Sequence, residues 1–481
     1  MASEKDQTGA ELAKSEEAVP SPDSSSVGEA SSPIHEKALL RKLDLKLLPP
    51  LTLLYLLSFL DRSNAGNQYL TGLTLYFIGY VLFEIPCNII LKRTSPRLWL
   101  PTLTLAWGII ATLMGVVTNY GGFLATRFFL GASESGLFPG VVFYLSMWYK
   151  RNEQHYRVAL FFSAASLAGA FGGILAWVVQ RLFIQYAMKL NLSYTSGQQE
   201  GLLTVVVAVV AYFFVYNYPA TAEFLTPEER EYITFRLKND NDATRDELFS
   251  WPNVLKAIKD PKVWLYGLGF HTMSLPLYTL SLFLPSIIKD LGYSAAQAQL
   301  MSVPPYAVAF VLTISTAIFS ERLHRRAPFI VGSSCLAIIG YIILLSQNRA
   351  GVSYFGTILA AGGIYPATAI VLAWPANNVS GQTKRATANA MQISIGNLGA
   401  VLGTQLYRTE TSPRYFLGHS FALGYLIANT IVVTILWRVL KRANEKKVVE
   451  RENQNLGVLG EVGDAEGDFL GDEDPRWVFQ L

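Results

Sequence analysis

The chain has 481 residues, of which 51% are hydrophobic and 16% charged, with a formal net charge of +3 at pH 7. Soluble proteins carry about 25% charged residues, so this composition excludes an ordinary soluble domain and indicates a protein of the lipid bilayer. The positive charge is spread over short loops and indicates no nucleic-acid partner. Two cysteines, Cys87 and Cys335, both inside apolar segments, exclude a disulfide framework or a thiolate metal site.

The N-terminal residues 1–44 are predicted to form a disordered cytoplasmic tail. Met1–Pro33 is polar and rich in Ser and Glu, and it contains no apolar stretch of the kind a cleavable signal peptide needs. The first membrane span is therefore expected to act as its own insertion signal.

Apolar segments long enough to cross a bilayer recur along the chain and predict about twelve transmembrane helices, since one crossing takes about 20 residues. Six lie within residues 45–218 and six within residues 263–440, which predicts an all-α membrane protein made of two six-helix halves. The sixth span is short. The predicted spans are Leu45–Asn64, Gln68–Leu91, Leu98–Thr118, Phe123–Ser146, Val158–Val178, Leu202–Tyr218, Val263–Ile288, Leu300–Phe319, Phe329–Ser346, Ser353–Trp374, Ala386–Tyr407 and Phe421–Val439.

A hydrophilic connector, residues 219–262, separates the halves, and residues 441–481 form a polar C-terminal tail. In the connector, Thr226 is followed by Pro227 and two acidic residues, which predicts that a helix begins there.

The orientation of the chain follows from Lys and Arg in the short loops, which favour the cytoplasmic side. More of them lie on the side of the N-terminus than on the other side, so both termini and the connector are expected to be cytoplasmic. The eleven on the N-terminal side are Lys92, Arg93, Arg97, Lys150, Arg151, Arg157, Arg322, Arg325, Arg326, Lys384 and Arg385; the six opposite are Arg181, Lys189, Lys289, Arg349, Arg408 and Arg414.

Four charged residues stand inside predicted spans: Asp61 and Arg62 in the first, Arg127 and Glu134 in the fourth. Charge at this depth is costly and is kept where it faces a cavity or a partner. Arg127 and Glu134 are seven residues apart and share one helix face, which suits an anion-binding guanidinium and a protonatable carboxyl group; the alternative is a structural ion pair. The adjacent Asp61 and Arg62 point about 100° apart, and they could instead cap the end of the span.

Other candidates carry weaker signals. Glu84 precedes Pro86 in the second span and is assigned to gating or packing, and Gly169 and Gly173 form a small-residue pair for close helix packing. His271 in the seventh span is a candidate substrate contact or proton group, although a lone intramembrane histidine is more often structural. Five aromatic residues in spans could stack on a planar substrate or simply pack: Tyr144, Tyr278, Tyr306, Tyr365 and Trp374.

Several stretches together resemble major facilitator superfamily transporters, and more closely the anion:cation symporter family, in particular its fungal allantoate-permease-like branch. The resemblance covers most of the chain outside the two tails. Its residues are Leu57–Asn64, Phe83–Asn88, Arg127–Gly140, Phe224–Arg230 and Asn377–Ala386, with Gly396–Gly399 and Pro413–Tyr415 in addition.

This resemblance implies a major facilitator fold and a monomer in the plasma membrane. It implies uptake of a small organic anion or carboxylate vitamin, allantoate-, nicotinate- or pantothenate-like, together with protons, by alternating access. In the related galactonate:proton symporters the matching positions line the central site, which assigns Asp61 and Glu134 to proton coupling and Arg62 and Arg127 to the substrate. His271 joins the substrate residues as a candidate from its position alone.

Two alternatives remain: an exporter of a metabolite made by a gene cluster, and a non-transporting nutrient sensor. Drug:proton antiporters of the resembled superfamily usually carry a Gly-Pro pair in the fifth span; Ser166–Trp177 has glycines and no proline, which favours import. The short C-terminal tail argues against a sensor. The sequence contains no phosphate-binding loop, zinc-peptidase motif or nucleophile elbow, so neither an enzyme nor a cofactor is expected.

Two segments depart from the family pattern. Only Ala65 separates Asn64 from the Gly66–Tyr69 stretch, where relatives have a longer outer loop, and Val178–Gln199 matches nothing in the family. We predict that the short loop displaces Asp61 and Arg62, that the second segment leaves the sixth span short, and that the chain is impaired in transport as a result.

Overall fold

The computed structural model of the chain describes residues 36–60, 67–150, 153–154, 156–164, 166, 196–240, 250–347, 349–454 and 471–481. These residues are almost entirely helical, and no strand occurs among them. The helices are α1 (Glu36–Leu60), α2 (Asn67–Arg93), α3 (Pro96–Met114), α4 (Tyr120–Glu134), α5 (Leu137–Ser146), α6 (Ser196–Phe214), α7 (Pro227–Asp240), α8 (Trp251–Lys259), α9 (Pro261–Asp290), α10 (Ala295–Met301), α11 (Val303–Arg322), α12 (Ala327–Ser346), α13 (Ala350–Asn378), α14 (Gln382–Gly403) and α15 (Phe416–Gln454). Residues 156–164 are also helical.

Seven stretches of the described chain are long and apolar enough to cross a membrane, with α4 and α5 counting together as one. Helix α14 is more polar because it faces the protein interior, where Asn389, Gln392, Ser394 and Asn397 are all buried. The prediction of an all-α membrane protein is confirmed.

The two halves meet chiefly through α2 and α14. Within the first half α2 packs on α4 and α3 packs on α6, while within the second half α9 packs on α14 and α12 packs on α13. Across the interface α2 contacts α14, and α5 contacts both α13 and α14.

The connector helix α7 begins where the sequence predicts. Thr226 Oγ1 accepts a hydrogen bond from the Glu229 N–H (3.2 Å), and Glu229 Oε2 accepts one from the Thr226 N–H (2.9 Å), so the two residues form a capping box. Arg236 of α7 pairs with Glu36 of α1 at 2.7 Å. We call this end of the bundle the connector face, and the opposite end, which carries Asn119, Asp290 and Gln405, the far face.

Helices α1 and α15 extend well beyond their predicted spans. Helix α1 begins at Glu36, within the predicted tail of residues 1–44, and its residues Lys42 and Asp44 pair with Glu229 and Arg157 at 2.7 and 2.6 Å. Helix α6 begins at Ser196 and ends at Phe214, but its apolar part, Gly201–Phe214, is shorter than a full membrane span, so the sixth span is short, as predicted. The last helix continues past Val439 to Gln454, and residues 471–481 return to pack on the second half.

Several predicted features lie outside the described residues. These are Asp61, Arg62, Gly169 and Gly173, together with most of the short 64–68 loop and of the 178–199 segment.

Candidate functional site

A small cavity lies between the two halves, halfway along the helices. Its wall is largely aromatic and includes the carboxyl group of Glu134. The rings come from Tyr55, Tyr80, Phe138, Phe162, Phe270 and Tyr278, and the remaining wall from Leu137, Leu277, Leu372 and Ile393.

Glu134 reaches this cavity because α4 ends there. Pro139 supplies no N–H to the carbonyl of Ser135 and its ring crowds that carbonyl, so the helix is interrupted after Glu134 and resumes at Leu137. The predicted fourth span, Phe123–Ser146, is therefore two helices with the carboxyl group at the break.

The carboxyl group of Glu134 is held from a neighbouring helix. Tyr76 of α2 donates its hydroxyl hydrogen to Glu134 Oε2 at 2.5 Å, and both side chains are buried. Sequence reasoning did not find Tyr76, because nothing in the spacing of two separate helices shows which tyrosine faces which acid.

Close packing of α2 and α4 makes this hydrogen bond possible. A Cβ added at Gly131 would lie 1.9 Å from the Tyr76 carbonyl oxygen, and one at Gly79 would lie 2.3 Å from the Phe128 carbonyl oxygen. Any larger residue at these positions would push the helices apart, so the two glycines set the distance between Tyr76 and Glu134.

Arg127 is buried on α4, on the far-face side of Glu134. Its guanidinium carbon is 5.3 Å from the ring centre of Phe123, and its stem lies beside Gly72 of α2. Arg127 and Glu134 therefore both face α2, as their spacing predicts, but only Glu134 is among the residues that line the cavity.

Glu84 lies at the interface between the halves. Its side chain is completely buried, and Ser394 of α14 donates a hydrogen bond to Glu84 Oε2 at 3.1 Å. Asn397, one turn further along α14, also faces this carboxyl group. The contact joins α2 of the first half to α14 of the second, and gating or packing stays the role predicted for Glu84.

His271 is placed away from the cavity, between helices of the second half. Its Nδ1 is 3.0 Å from the carbonyl oxygen of Ile395, and its Nε2 is 3.4 Å from the hydroxyl of Tyr425. This position favours the structural alternative over a substrate contact. Among the five predicted stacking residues, Tyr278 alone lines the cavity.

Within the described ranges, no group of three or more His, Cys, Asp or Glu side chains is placed to hold a metal ion.

A family model of the Major Facilitator Superfamily matches residues 47–404, most of the chain. The chain belongs to the major facilitator superfamily. It is 36% identical over 466 residues to the MFS-type transporter cnsO of Penicillium expansum, covering 88% of this chain and 89% of that relative. It is 32% identical over 446 residues to the High-affinity nicotinic acid transporter of Saccharomyces cerevisiae, covering 88% and 82%.

Solved structures show the same fold at low sequence identity. The proton:xylose symporter XylE aligns with a TM-score of 0.59 and 14% identity, over 84% of this chain and 90% of XylE. FucP in its outward conformation aligns with a TM-score of 0.58 and 14% identity, over 81% and 99%. The major facilitator fold, predicted as twelve helices in two halves, is confirmed, and the protein is a multi-pass membrane transporter of a superfamily that is not a class of enzymes.

In this major facilitator transporter the halves touch on both sides of the cavity. On the far face, Gln405 Nε2 donates to Thr74 Oγ1 (2.8 Å) and to the Leu70 carbonyl (3.2 Å), and the Thr74 and Thr404 hydroxyls are 2.9 Å apart. On the connector side, α5 packs against α13 and α14. One of these two sets of contacts must break before a solute can enter or leave the cavity from that side.

Proposed function

We propose that the protein is a proton-coupled importer of a small organic anion, a member of the anion:cation symporter branch working by alternating access in the plasma membrane. The observation that carries this proposal is the carboxyl group of Glu134 in the wall of a cavity between the halves, with Arg127 two turns away on the same helix. We propose that both termini and the connector face lie in the cytoplasm, because the short loops on that side carry more Lys and Arg.

The proposed coupling depends on competition between the Glu134 carboxylate and the substrate carboxylate for the positive charge of Arg127. A carboxylate and a guanidinium in a low-dielectric site stabilise each other's charged form. When a substrate carboxylate binds the guanidinium of Arg127, the Glu134 carboxylate loses that stabilisation and takes up a proton. Asp61 and Arg62 are proposed as a second proton group and a second substrate contact, as the family resemblance implies.

The aromatic wall supports a flat substrate. Tyr80 and Tyr278 approach the cavity from opposite halves, and ring faces of this kind stack well on planar groups. The similarity to the High-affinity nicotinic acid transporter also supports a substrate with a carboxylate on a small planar ring. We expect the protein to act as a monomer, with the site contained in one chain.

Uptake by cells that express the chain tests this function. Labelled nicotinate, pantothenate and allantoate are supplied at acidic and at neutral outside pH, with and without a protonophore. We expect one of them to accumulate, faster at acidic pH, and to stop accumulating with the protonophore. Efflux from preloaded cells without uptake would instead support the exporter, and binding without movement in either direction would support the sensor.

Arg127→Lys tests the substrate contact. A guanidinium grips a carboxylate through two parallel hydrogen bonds, and an ammonium cannot, so this variant should lose most uptake while reaching the membrane normally. Arg349→Lys, an exposed change on the far face, is the matched control and should transport normally. Normal uptake by Arg127→Lys would remove this arginine from the mechanism.

A further inference from the structure

The C-terminal residues 471–481, which we call the strap, begin with a 3-10 turn at Gly471–Glu473, continue as an irregular segment, and pack against the connector face of the second half. Trp477 and Phe479 are 1% and 3% exposed, whereas Val478 between them is 38% exposed. This alternation is typical of an extended segment with one side buried. The strap is therefore packed into the second half and does not merely lie on its surface.

Lysines of the second half hold the strap in place. Lys447 of α15 donates hydrogen bonds to the carbonyl oxygens of Asp472, Asp474 and Trp477 at 2.7, 2.9 and 3.1 Å. The ammonium nitrogens of Lys447 and Lys262 are each 4.5 Å from the centre of the Phe479 ring. Each of these contacts requires the strap to follow one path, because they use its backbone as well as its side chains.

The strap also binds the turn between α13 and α14. The carbonyl oxygen of Gln480 accepts hydrogen bonds from Trp374 Nε1 (2.9 Å) and Asn378 Nδ2 (3.0 Å), and the Gln480 N–H donates to Asn378 Oδ1 (2.7 Å). At the start of α14, Lys384 Nζ is 2.8 Å from both carboxylate oxygens of Asp472. Both ends of this turn are thus tied to one segment.

The same turn borders the barrier between the cavity and the connector face. α13 and α14 pack against α5 of the first half. A small pocket lies between the start of α14 and α2, with Thr383 and Ala386 on one side and Ile85 and Asn88 on the other. Opening the transporter toward this face requires the ends of α13 and α14 to move away from α5 and α2.

We propose that the strap keeps the barrier at the connector face closed, so that its detachment shifts the transporter toward the state open to that face. The strap braces the α13–α14 turn against α9 and α15, which carry Lys262 and Lys447, and the turn cannot bend outward without breaking those contacts. The inference uses the alternating access of the proposed function but neither the substrate nor the coupling ion.

Site-directed labelling tests the strap independently of transport. Ala386→Cys reports access from the connector face and Gln405→Cys reports access from the far face, each in full-length protein with Cys87→Ser and Cys335→Ser. A bulky maleimide is added to the purified protein in detergent. Phe479→Ala removes the buried anchor of the strap, and Val478→Ala, an exposed change one residue away, is the matched control.

We expect Phe479→Ala to speed labelling at position 386 roughly tenfold and to slow labelling at position 405, because the two faces open alternately. Val478→Ala should change neither rate. Unchanged rates in Phe479→Ala, or faster labelling at both positions from general loosening, would overturn the proposal. If Phe479→Ala does not fold, Asp472→Asn, which weakens the Lys384 contact and leaves the apolar anchors, must give the same opposite shifts or the proposal fails.

Discussion

Gly131→Ala tests whether helix packing sets the geometry of the candidate site. The added Cβ would lie 1.9 Å from the Tyr76 carbonyl oxygen, and ordinary contact begins at 3.4 Å, so α2 and α4 would have to separate by about 1.5 Å, the difference between those two distances. The Tyr76–Glu134 hydrogen bond is 2.5 Å long, and a separation of that size takes it beyond the hydrogen-bonding range. Overpacking of this kind costs about 1–3 kcal/mol of stability.

Gly332→Ala in α12 is the matched control, since an added Cβ there meets nothing within 4 Å. Thermal unfolding is measured by gel filtration of the fluorescently tagged protein. Uptake is measured with the labelled carboxylate that the wild type accumulates. We expect Gly131→Ala to unfold at a lower temperature and to lose most uptake. Gly332→Ala should keep both properties, because an open helical site gains about 0.5–1 kcal/mol from this change. Equal behaviour of the two variants would refute the packing argument.

Three further predictions concern His271, Glu84 and the strap. His271→Asn keeps a donor for the Ile395 carbonyl, so uptake and its pH dependence should be unchanged; loss of proton-driven accumulation would instead make His271 a coupling group. Glu84→Gln should keep most transport, because its amide oxygen can still accept the hydrogen bond from Ser394. Glu84→Leu cannot accept it and should slow turnover with little change in KM. A large rise in KM in both variants would instead indicate that Glu84 contacts the substrate. Burial and the nearby charge of Lys262 lower the pKa of Lys447 from 10.5 to about 8. Between pH 8 and pH 10.5 the protein with the strap docked therefore binds fewer protons than the protein with the strap detached. Docking, measured with a spin label at Val478→Cys, should therefore strengthen as pH rises through about 8. The pKa of Lys384 is raised because Asp472 and Asp260 outweigh the effect of burial, so its contacts persist over that range. Lys447→Met should abolish the pH dependence, and a pH response that survives this change contradicts the assignment.

The sequence was informative where local chemistry decides the structure. The Thr226-Pro227 pair predicted the start of α7, and the apolar spans predicted the helical fold. The rarity of intramembrane charge pointed to Glu134, which does line the cavity. Pro139 in the sequence indicates the break after Glu134. The apolar pattern continues through Pro139, however, and therefore predicted a single helix over Phe123–Ser146.

What the sequence did not reveal depends on contacts between distant segments. Tyr76 meets Glu134 only because α2 and α4 approach closely at Gly79 and Gly131. The strap was predicted as part of a polar tail, and the apolar residues Trp477 and Phe479 were its one visible sign. Their partners on α9 and α15 become neighbours only in the folded second half.

The central claim is that Glu134 carries the coupling proton. Its most direct test compares accumulation with exchange in proteoliposomes that contain Glu134→Gln or wild-type protein, with the labelled carboxylate that the wild type transports. The account predicts that Glu134→Gln no longer accumulates substrate under an inward proton gradient yet still exchanges inside for outside substrate, because exchange needs no net proton release. If Glu134→Gln accumulates substrate against its gradient as the wild type does, Glu134 is not the coupling group and the account is wrong.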